Sequence, residues 1–116
     1  MTLVGLDGQA ISLDQSWNPM HGGEGTVYRS ADGHMIKIYH PNVLSSRGQM
    51  LEAKVRYMKD HPPMGGALKY LAWPVDVVYE NGAFKGFMMN ALSGYEEVSL
   101  FYSYLPNQSR PQNLLL

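Results

Sequence analysis

Cysteine is absent from the 116-residue sequence. Its absence excludes a disulfide scaffold, a thiolate metal site and a cysteine nucleophile. A zinc site would therefore have to use the four histidines. These form no HExxH motif and no close pair at ligand spacing, so we expect hydrogen-bonded or solvated side chains and predict no metal site. The histidines are His21, His34, His40 and His61.

The sequence also lacks a strong excess of one charge and any long apolar run. Nine basic and ten acidic side chains give a net charge of −1, so we expect no direct nucleic-acid binding by this segment. No run reaches the ~18 apolar residues of a membrane span, and no signal-length run opens the chain. These features predict a cytoplasmic domain without a membrane partner. The apolar content of 45% is typical of a folded domain, and 116 residues suffice for one.

Two hairpins are predicted from turn residues that favour positive φ. Alternating residues flank Asp7-Gly8 and predict strands at about 2–6 and 9–13. The segments "AWPVDVVYE" and "AFKGFMMNAL" flank Asn81-Gly82 in the same way. Between the hairpins, "TVYRS" and the alternating "HMIKIYH" predict two further strands.

One principal helix is predicted between these strands. It begins at the possible N-caps Ser45 or Ser46 and extends to about Lys59, and its apolar residues repeat at helical spacing. A short helix is also predicted near Glu96. The order of elements gives an α+β fold, with a mainly antiparallel sheet flanked by one helix.

The segment "MHGGEGTVYR", residues 20–29, places three glycines around one glutamate immediately before a strand. Backbone without Cβ atoms can approach a bound group closely and direct its N–H donors at a phosphate. The alternative is a bulged hairpin without a ligand. On the loop alone, the bulged hairpin is the favoured interpretation.

Two charged residues bear on this choice. Lys37 lies within the alternating "MIKIY", where it could bind phosphates as a point charge, or could instead protect the edge of the sheet. Glu52, on the predicted helix, is a candidate carboxylate partner for Lys37, or could instead form an i, i+4 pair with Arg56. A glycine loop, a strand lysine and a helix glutamate in this order favour a phosphate site.

The segments "MHGGEGTVYR", "MIKIYHP", "LEAKVRYM" and "AWPVDVVYENGAFKGFMMNAL" together resemble the N-terminal lobe of a eukaryotic-type protein kinase. More narrowly, the chain is similar to bacterial kinase-like proteins that can carry a helix-hairpin-helix DNA-binding module. The resemblance implies a five-stranded antiparallel N-lobe sheet with one principal helix over residues 16–104, ending in the hinge. It also implies an extra β-hairpin at 1–15 and a tail at 105–116, which we expect to mark a truncation.

The kinase glycine-loop pattern G-x-G-x-x-G-x-V falls on Met20, Gly22, Gly25 and Val27. By resemblance, Lys37 binds the α- and β-phosphates and Glu52 holds it, so these two are the predicted catalytic residues. Their spacing is short for the family, which leaves neighbouring helix positions open as partners. The full predicted ATP-binding set is Met20, Gly22, Gly23, Glu24, Gly25, Val27, Met35, Lys37, Met89 as gatekeeper, and Asn90 and Leu92 as hinge groups, with Glu96 or Glu97 near the ribose.

The sequence departs from the family pattern at Met20, which replaces the first loop glycine, and at Met35, which replaces a small alanine. It contains no His-Arg-Asp catalytic loop and no Asp-Phe-Gly after the hinge, so the catalytic base and the magnesium ligands are missing. The resemblance therefore implies an ATP-binding half of a Ser/Thr kinase. Mg²⁺ is expected only with the missing C-lobe, which would cover the lower face.

Two alternatives remain from the sequence. One is a nucleotide-independent, pseudokinase-like module that docks a partner protein on its exposed lower face. The other is an unrelated α+β domain in which the glycine loop is only a hairpin bulge.

Overall fold

Short strands and one long helix make up the computed structural model, which describes residues 1–64 and 72–91. The strands are β1 (Leu3–Val4), β2 (Ala10–Ile11), β3 (Met20–His21), β4 (Gly25–Arg29), β5 (Met35–Tyr39), β6 (Pro74–Glu80) and β7 (Ala83–Met89), and helix α1 (Pro41–Asp60) follows β5. The seven strands form one sheet in the order β2-β1-β6-β7-β5-β4-β3, with antiparallel pairing throughout. The predicted α+β class is confirmed.

The first hairpin extends this sheet, which therefore contains seven strands where five and a separate hairpin were predicted. Val4 of β1 pairs with Tyr79 of β6, and Gly8 supplies the expected positive φ of 85°. The paired strands are shorter than predicted because the chain leaves β2 to follow β4, where Leu13 forms a bridge with Ser30. The second hairpin turns at Asn81 and Gly82, both with positive φ, as predicted.

Helix α1 begins at Pro41, earlier than the predicted start at Ser45 or Ser46. Proline fits the first helical position because its φ is preset and its missing N–H would have had no partner there. The preceding His40 provides no side-chain cap. Ser46, inside the helix, donates its hydroxyl to the carbonyl of Asn42 at 3.0 Å, so the predicted serine caps are wrong.

The apolar core lies mainly between α1 and one face of the sheet. The alternation of β5 separates its side chains as predicted: Met35 and Tyr39 join the helix-facing cluster, whereas Ile36 lies on the opposite face with Leu3 and Val78. The predicted helix stripe is buried in the first cluster, with Val55 fully inaccessible. Within the described residues, no helix has both the length and the apolar character needed to cross a membrane.

The close pairing of β5 and β7 can be tested by a substitution at Gly86. A Cβ there would overlap the Lys37 carbonyl oxygen, so we expect Gly86→Ala to lower the free energy of unfolding by about 1–3 kcal/mol. Gly48→Ala is the matched control, because a Cβ inside α1 would meet only Leu44 at an ordinary 3.8 Å. It should raise the free energy of unfolding by about 0.5–1 kcal/mol. Urea denaturation measures both, and equal effects would contradict the close approach at Gly86.

Candidate functional site

A row of paired residues crosses the helix-facing side of the sheet. Met20 pairs with Val27, which pairs with Lys37, which in turn pairs with Phe87. Residues directly opposite one another in neighbouring strands present their side chains on the same face. Three residues of the predicted nucleotide site, Met20, Val27 and Lys37, are therefore aligned across three strands.

An apolar surface adjoins Lys37 on this face. Met35, two residues before Lys37, pairs with Met89 of β7, and both are buried in the helix-facing core. Val27 packs against the same cluster. The structure thus brings together three residues of the predicted ATP-binding set. Val27 is half-buried, whereas the thioethers of Met35 and Met89 are packed into the core behind it.

The predicted hinge is described only in part. Asn90 directly follows β7 and is exposed. The predicted hinge residue Leu92, the ribose candidates Glu96 and Glu97, and the predicted short helix near Glu96 lie outside the described residues.

The glycine-rich loop joins β3 to β4, and its glycines are not equivalent. A Cβ on Gly25 would overlap the carbonyl oxygen of Ile38, so the close approach of β4 to β5 requires this glycine. Gly22 and Gly23 have no such requirement. A Cβ on Gly22 would meet its nearest atom at 3.5 Å and one on Gly23 would meet nothing within 4 Å, and neither residue has positive φ.

Lys37 lies beneath this loop in the interior of the sheet. Its strand β5 is flanked by β7 and β4, which rules out the predicted alternative of an edge lysine. The Lys37 side chain is 19% exposed, and its Nζ lies 3.7 Å from Oε1 of Glu24 and 5.3 Å from the centre of the Tyr39 ring. Burial lowers the pKa of Lys37, the positive charge of Arg47 lowers it slightly more, and Glu24 opposes both effects.

The Glu24 carboxylate faces two cations. While Oε1 faces Lys37, Oε2 lies 2.9 Å from Nη2 of Arg47 on α1, from which it accepts a hydrogen bond. The side chains of Glu24 and Arg47 are 40% and 43% exposed. An exposed pair of this kind contributes on the order of 0.2–1 kcal/mol, so the contact holds the loop in place without fixing it strongly.

His40, at the junction of β5 and α1, holds the backbone of the same loop. Its Nε2 donates to the Gly22 carbonyl at 2.7 Å, and its backbone N–H donates to the Glu24 carbonyl at 2.8 Å. The N–H of Gly22 donates to the Gly25 carbonyl. Within the described residues, no backbone hydrogen bond is donated by Gly23 or Glu24, so these N–H groups at the loop tip are available to a ligand.

The predicted ion pair between Lys37 and Glu52 is not formed among the described residues, and Glu24 takes its place. Glu52 instead accepts a hydrogen bond from the Tyr79 hydroxyl at 2.6 Å. Tyr79 belongs to β6, which is separated from β5 by β7, so Glu52 lies over a different part of the sheet from Lys37. Burial raises the pKa of Tyr79 and Glu52 raises it further, while Arg56 opposes the rise.

Neither Arg47 nor the role of His40 in the loop was predicted from the sequence. Arg47 contacts a residue 23 positions earlier, and no periodicity or motif connects the two. His40 was expected to be either solvated or hydrogen-bonded, and the structure shows the hydrogen bond. Its place between β5 and the proline that begins α1 was the available signal for a role at the site.

Tyr39 adds a buried polar atom next to Lys37. The residue is 2% exposed, and its hydroxyl has no hydrogen-bond partner in the described part of the chain. Burial raises the pKa of Tyr39, and the negative charge of Glu24 raises it further. The hydroxyl is therefore protonated throughout the neutral range.

A polar cluster around Asp32 does not form a competing site. Asp32 accepts hydrogen bonds from the Ser30 hydroxyl and the His34 ring, which lower its pKa to about 2. Because the aspartate lies between serine and histidine, the histidine cannot take the serine proton, and the cluster stabilises a turn. Among the described residues, no group of three histidine or carboxylate side chains could hold a metal ion.

A cleft of about 580 Å³ lies between the N-terminal segment and β4, lined in part by Trp17, Asn18 and Pro19. None of the predicted nucleotide-binding residues lines it. Its charged groups Asp14 and Arg29 pair with each other at 3.3 Å. We therefore assign the candidate site to Lys37 and the glycine-rich loop.

No protein-family model, curated protein or solved structure matches this chain. The kinase-like interpretation thus depends on the quoted sequence segments and on the geometry around Lys37.

The charges around Lys37 predict opposite pKa changes in two variants. Glu24→Gln removes the group that raises the pKa of Lys37 and should lower that pKa further. Arg47→Gln removes a neighbouring positive charge and should raise it. NMR titration of the lysine Nζ measures both changes. Glu80→Gln removes an equal charge near Thr2, away from the site, and a change as large as that in Glu24→Gln would contradict a local cause.

The lowered pKa of Lys37 also predicts how this residue contributes to stability as the pH changes. Because burial lowers its folded-state pKa, the unfolded chain binds more protons between that value and the ordinary lysine pKa of about 10.4. The unfavourable contribution of Lys37 is therefore fully present below the folded pKa and is relieved as the pH rises through this window. In Lys37→Met, this part of the pH dependence of the unfolding free energy should disappear.

Proposed function

We propose that this chain is the ATP-binding N-terminal lobe of a bacterial protein-kinase-like protein. The observation that carries the proposal is the placement of Lys37 beneath the glycine-rich loop, close enough for its Nζ to face the loop carboxylate of Glu24 at 3.7 Å. A partly buried lysine that already faces an anionic group is suited to bind the phosphates of a nucleotide. The covering loop supplies N–H donors without Cβ atoms in the way.

The apolar surface next to Lys37 supports a nucleotide rather than a phosphate ion alone. Val27 packs against the cluster that contains Met35 and Met89, on the face that carries Lys37. A base above Val27 would contact its half-buried side chain, with the core methionines packed behind it and the phosphates directed toward Lys37. Asn90, at the end of β7, would supply a backbone carbonyl to the base edge.

Binding, and not phosphoryl transfer, is the activity that these residues support. Transfer requires a base for the attacking hydroxyl and ligands for Mg²⁺, and the sequence carries neither of the corresponding motifs. The Ser/Thr kinase activity, the use of Mg²⁺ and the phosphotransferase reaction are proposed for a longer protein that includes a C-terminal lobe.

A nucleotide-independent docking module is the second candidate. Exposed large side chains favour it: Met50 and Tyr57 of α1 are 54% and 63% exposed, and Met64 is 93% exposed. Tyr57 stacks on His61 with ring centres 4.0 Å apart, which adds a flat pair of rings. A domain of this class would bind its partner equally well with and without ATP.

Titration of the 116-residue chain with ATP tests the first candidate. We expect saturable binding, observed as NMR shifts of Val27 and Gly23, that Lys37→Met weakens by roughly tenfold or more. A charge-assisted hydrogen bond contributes about 1.5–3 kcal/mol, and 1.4 kcal/mol corresponds to tenfold. Chemical denaturation of the variant checks that the fold is retained. Absence of binding, or equal affinity of the folded variant, would contradict the proposed role of Lys37.

The loop glycines provide an independent test with a matched pair. Gly23→Ala should leave the unfolding midpoint within the range of ordinary surface substitutions, because a Cβ there meets nothing within 4 Å, yet it should weaken ATP binding by crowding the phosphates. Gly25→Ala should destabilise the fold, because its Cβ would overlap the Ile38 carbonyl oxygen. Calorimetry with ATP and thermal unfolding separate these effects. If Gly23→Ala bound ATP as well as the unmodified chain, a close approach of phosphates to the loop tip would be wrong.

A further inference from the structure

Two cations from different elements converge on one carboxylate. Lys37 comes from the interior strand β5 and Arg47 from helix α1, whereas Glu24 comes from the tip of the loop between β3 and β4. Each cation faces its own oxygen of the carboxylate, at 3.7 Å and 2.9 Å. Within the described residues, Glu24 is the only carboxylate that pairs with either cation.

We propose that Lys37 and Arg47 form a single anion-binding site that Glu24 occupies in this structure, and that the polyphosphate chain of a nucleotide enters by displacing the Glu24 carboxylate. This inference rests on the proposed function and deepens it in two ways. It assigns Arg47 to the phosphate-binding residues, and it gives Glu24 the role of an internal competitor.

The division of the three groups between rigid and adaptable segments supports displacement. Arg47 follows six residues of α1 that are already helical and lies one turn before Leu51, which is buried in the core. Lys37 is held between two strands. Glu24 has glycine on both sides, and glycine imposes little restriction on a change of backbone dihedral angles. The backbone positions that carry the two cations are therefore fixed by the helix and the sheet, while the Glu24 side chain can turn away.

Charge and shape favour the phosphate chain over the carboxylate. Glu24 contributes one negative charge, whereas tripolyphosphate carries several and presents more oxygens to the two donors. The Arg47 guanidinium can donate two parallel hydrogen bonds to phosphate oxygens. The Glu24–Arg47 contact is 40–43% exposed, so it is a weak contact that a more highly charged anion can replace.

The contacts of His40 make the displacement a local event. The carbonyl groups of Gly22 and Glu24 remain hydrogen-bonded to His40, so the loop backbone need not leave the site when the Glu24 side chain turns away. The N–H groups of Gly23 and Glu24, which donate no backbone hydrogen bond in the described part of the chain, then lie next to the incoming anion.

The test uses the 116-residue chain with two probes, inorganic tripolyphosphate and ATP, and calorimetry measures both affinities. Glu24→Gln removes the competing charge while keeping the shape of the side chain, and we expect it to tighten binding of both probes by about three- to tenfold. Glu24→Gln combined with Arg47→Gln should lose this gain, and Arg47→Lys in the same background should retain part of it. Glu80→Gln, which removes the same charge away from the site, should have no effect.

The outcomes separate this inference from the proposed function. If ATP bound the unmodified chain and Glu24→Gln equally, or if Arg47→Gln had no effect in the Glu24→Gln background, the inference would be overturned while nucleotide binding stood. A different result would keep the anion site and contradict the nucleotide function. In that case Glu24→Gln would tighten tripolyphosphate binding, but ATP would bind no better than tripolyphosphate, and adenosine would not compete with ATP. If no variant bound either probe, both would be wrong.

Discussion

A cation next to buried apolar side chains on the helix-facing side of the sheet is the constraint on which the site depends. Lys37 alternates with Met35 and Tyr39, both of which are buried against α1, so its ammonium cannot turn away from the core without reversing the register of β5. Removal of an ammonium from water is costly unless an opposite charge is nearby. The glycine-rich loop brings Glu24 to this position, and the conformation of the loop follows from that requirement together with the two backbone hydrogen bonds of His40.

The glycines of the loop have two different roles. Gly25 lets β4 approach the backbone of β5, which sets the height of the loop above Lys37. Gly22 and Gly23 have room for side chains in the structure as it stands, so packing within the domain does not explain their lack of Cβ atoms. A ligand above the loop would explain it. Arg47 completes the arrangement, because it places a second positive charge on the far side of the same carboxylate.

Local patterns predicted the elements that depend on neighbouring residues. Asp7-Gly8 and Asn81-Gly82 predicted both hairpins, and the alternation around Lys37 predicted which side chains of β5 share a face, because turn geometry and strand pleat are properties of the immediate chain. The start of α1 was missed because two serines were preferred as caps over Pro41, although proline is itself suited to the first turn. The length of β2 was also missed, since the chain leaves it to bridge with the opposite end of the sheet at Ser30.

The candidate site, too, was predicted only in part from the sequence. Through its resemblance to a kinase N-terminal lobe, the sequence by itself predicted that the glycine-rich loop, Lys37 and the apolar residues Val27, Met35 and Met89 form one site. Strand pairing places Val27 opposite Lys37 and Met35 opposite Met89. Only the tertiary structure decided which carboxylate faces Lys37. Glu52 is carried by α1 toward Tyr79 on β6, two strands away from β5, while Glu24 is brought down by the loop. Such partners depend on the position of the helix across the sheet, and no short-range pattern encodes that position.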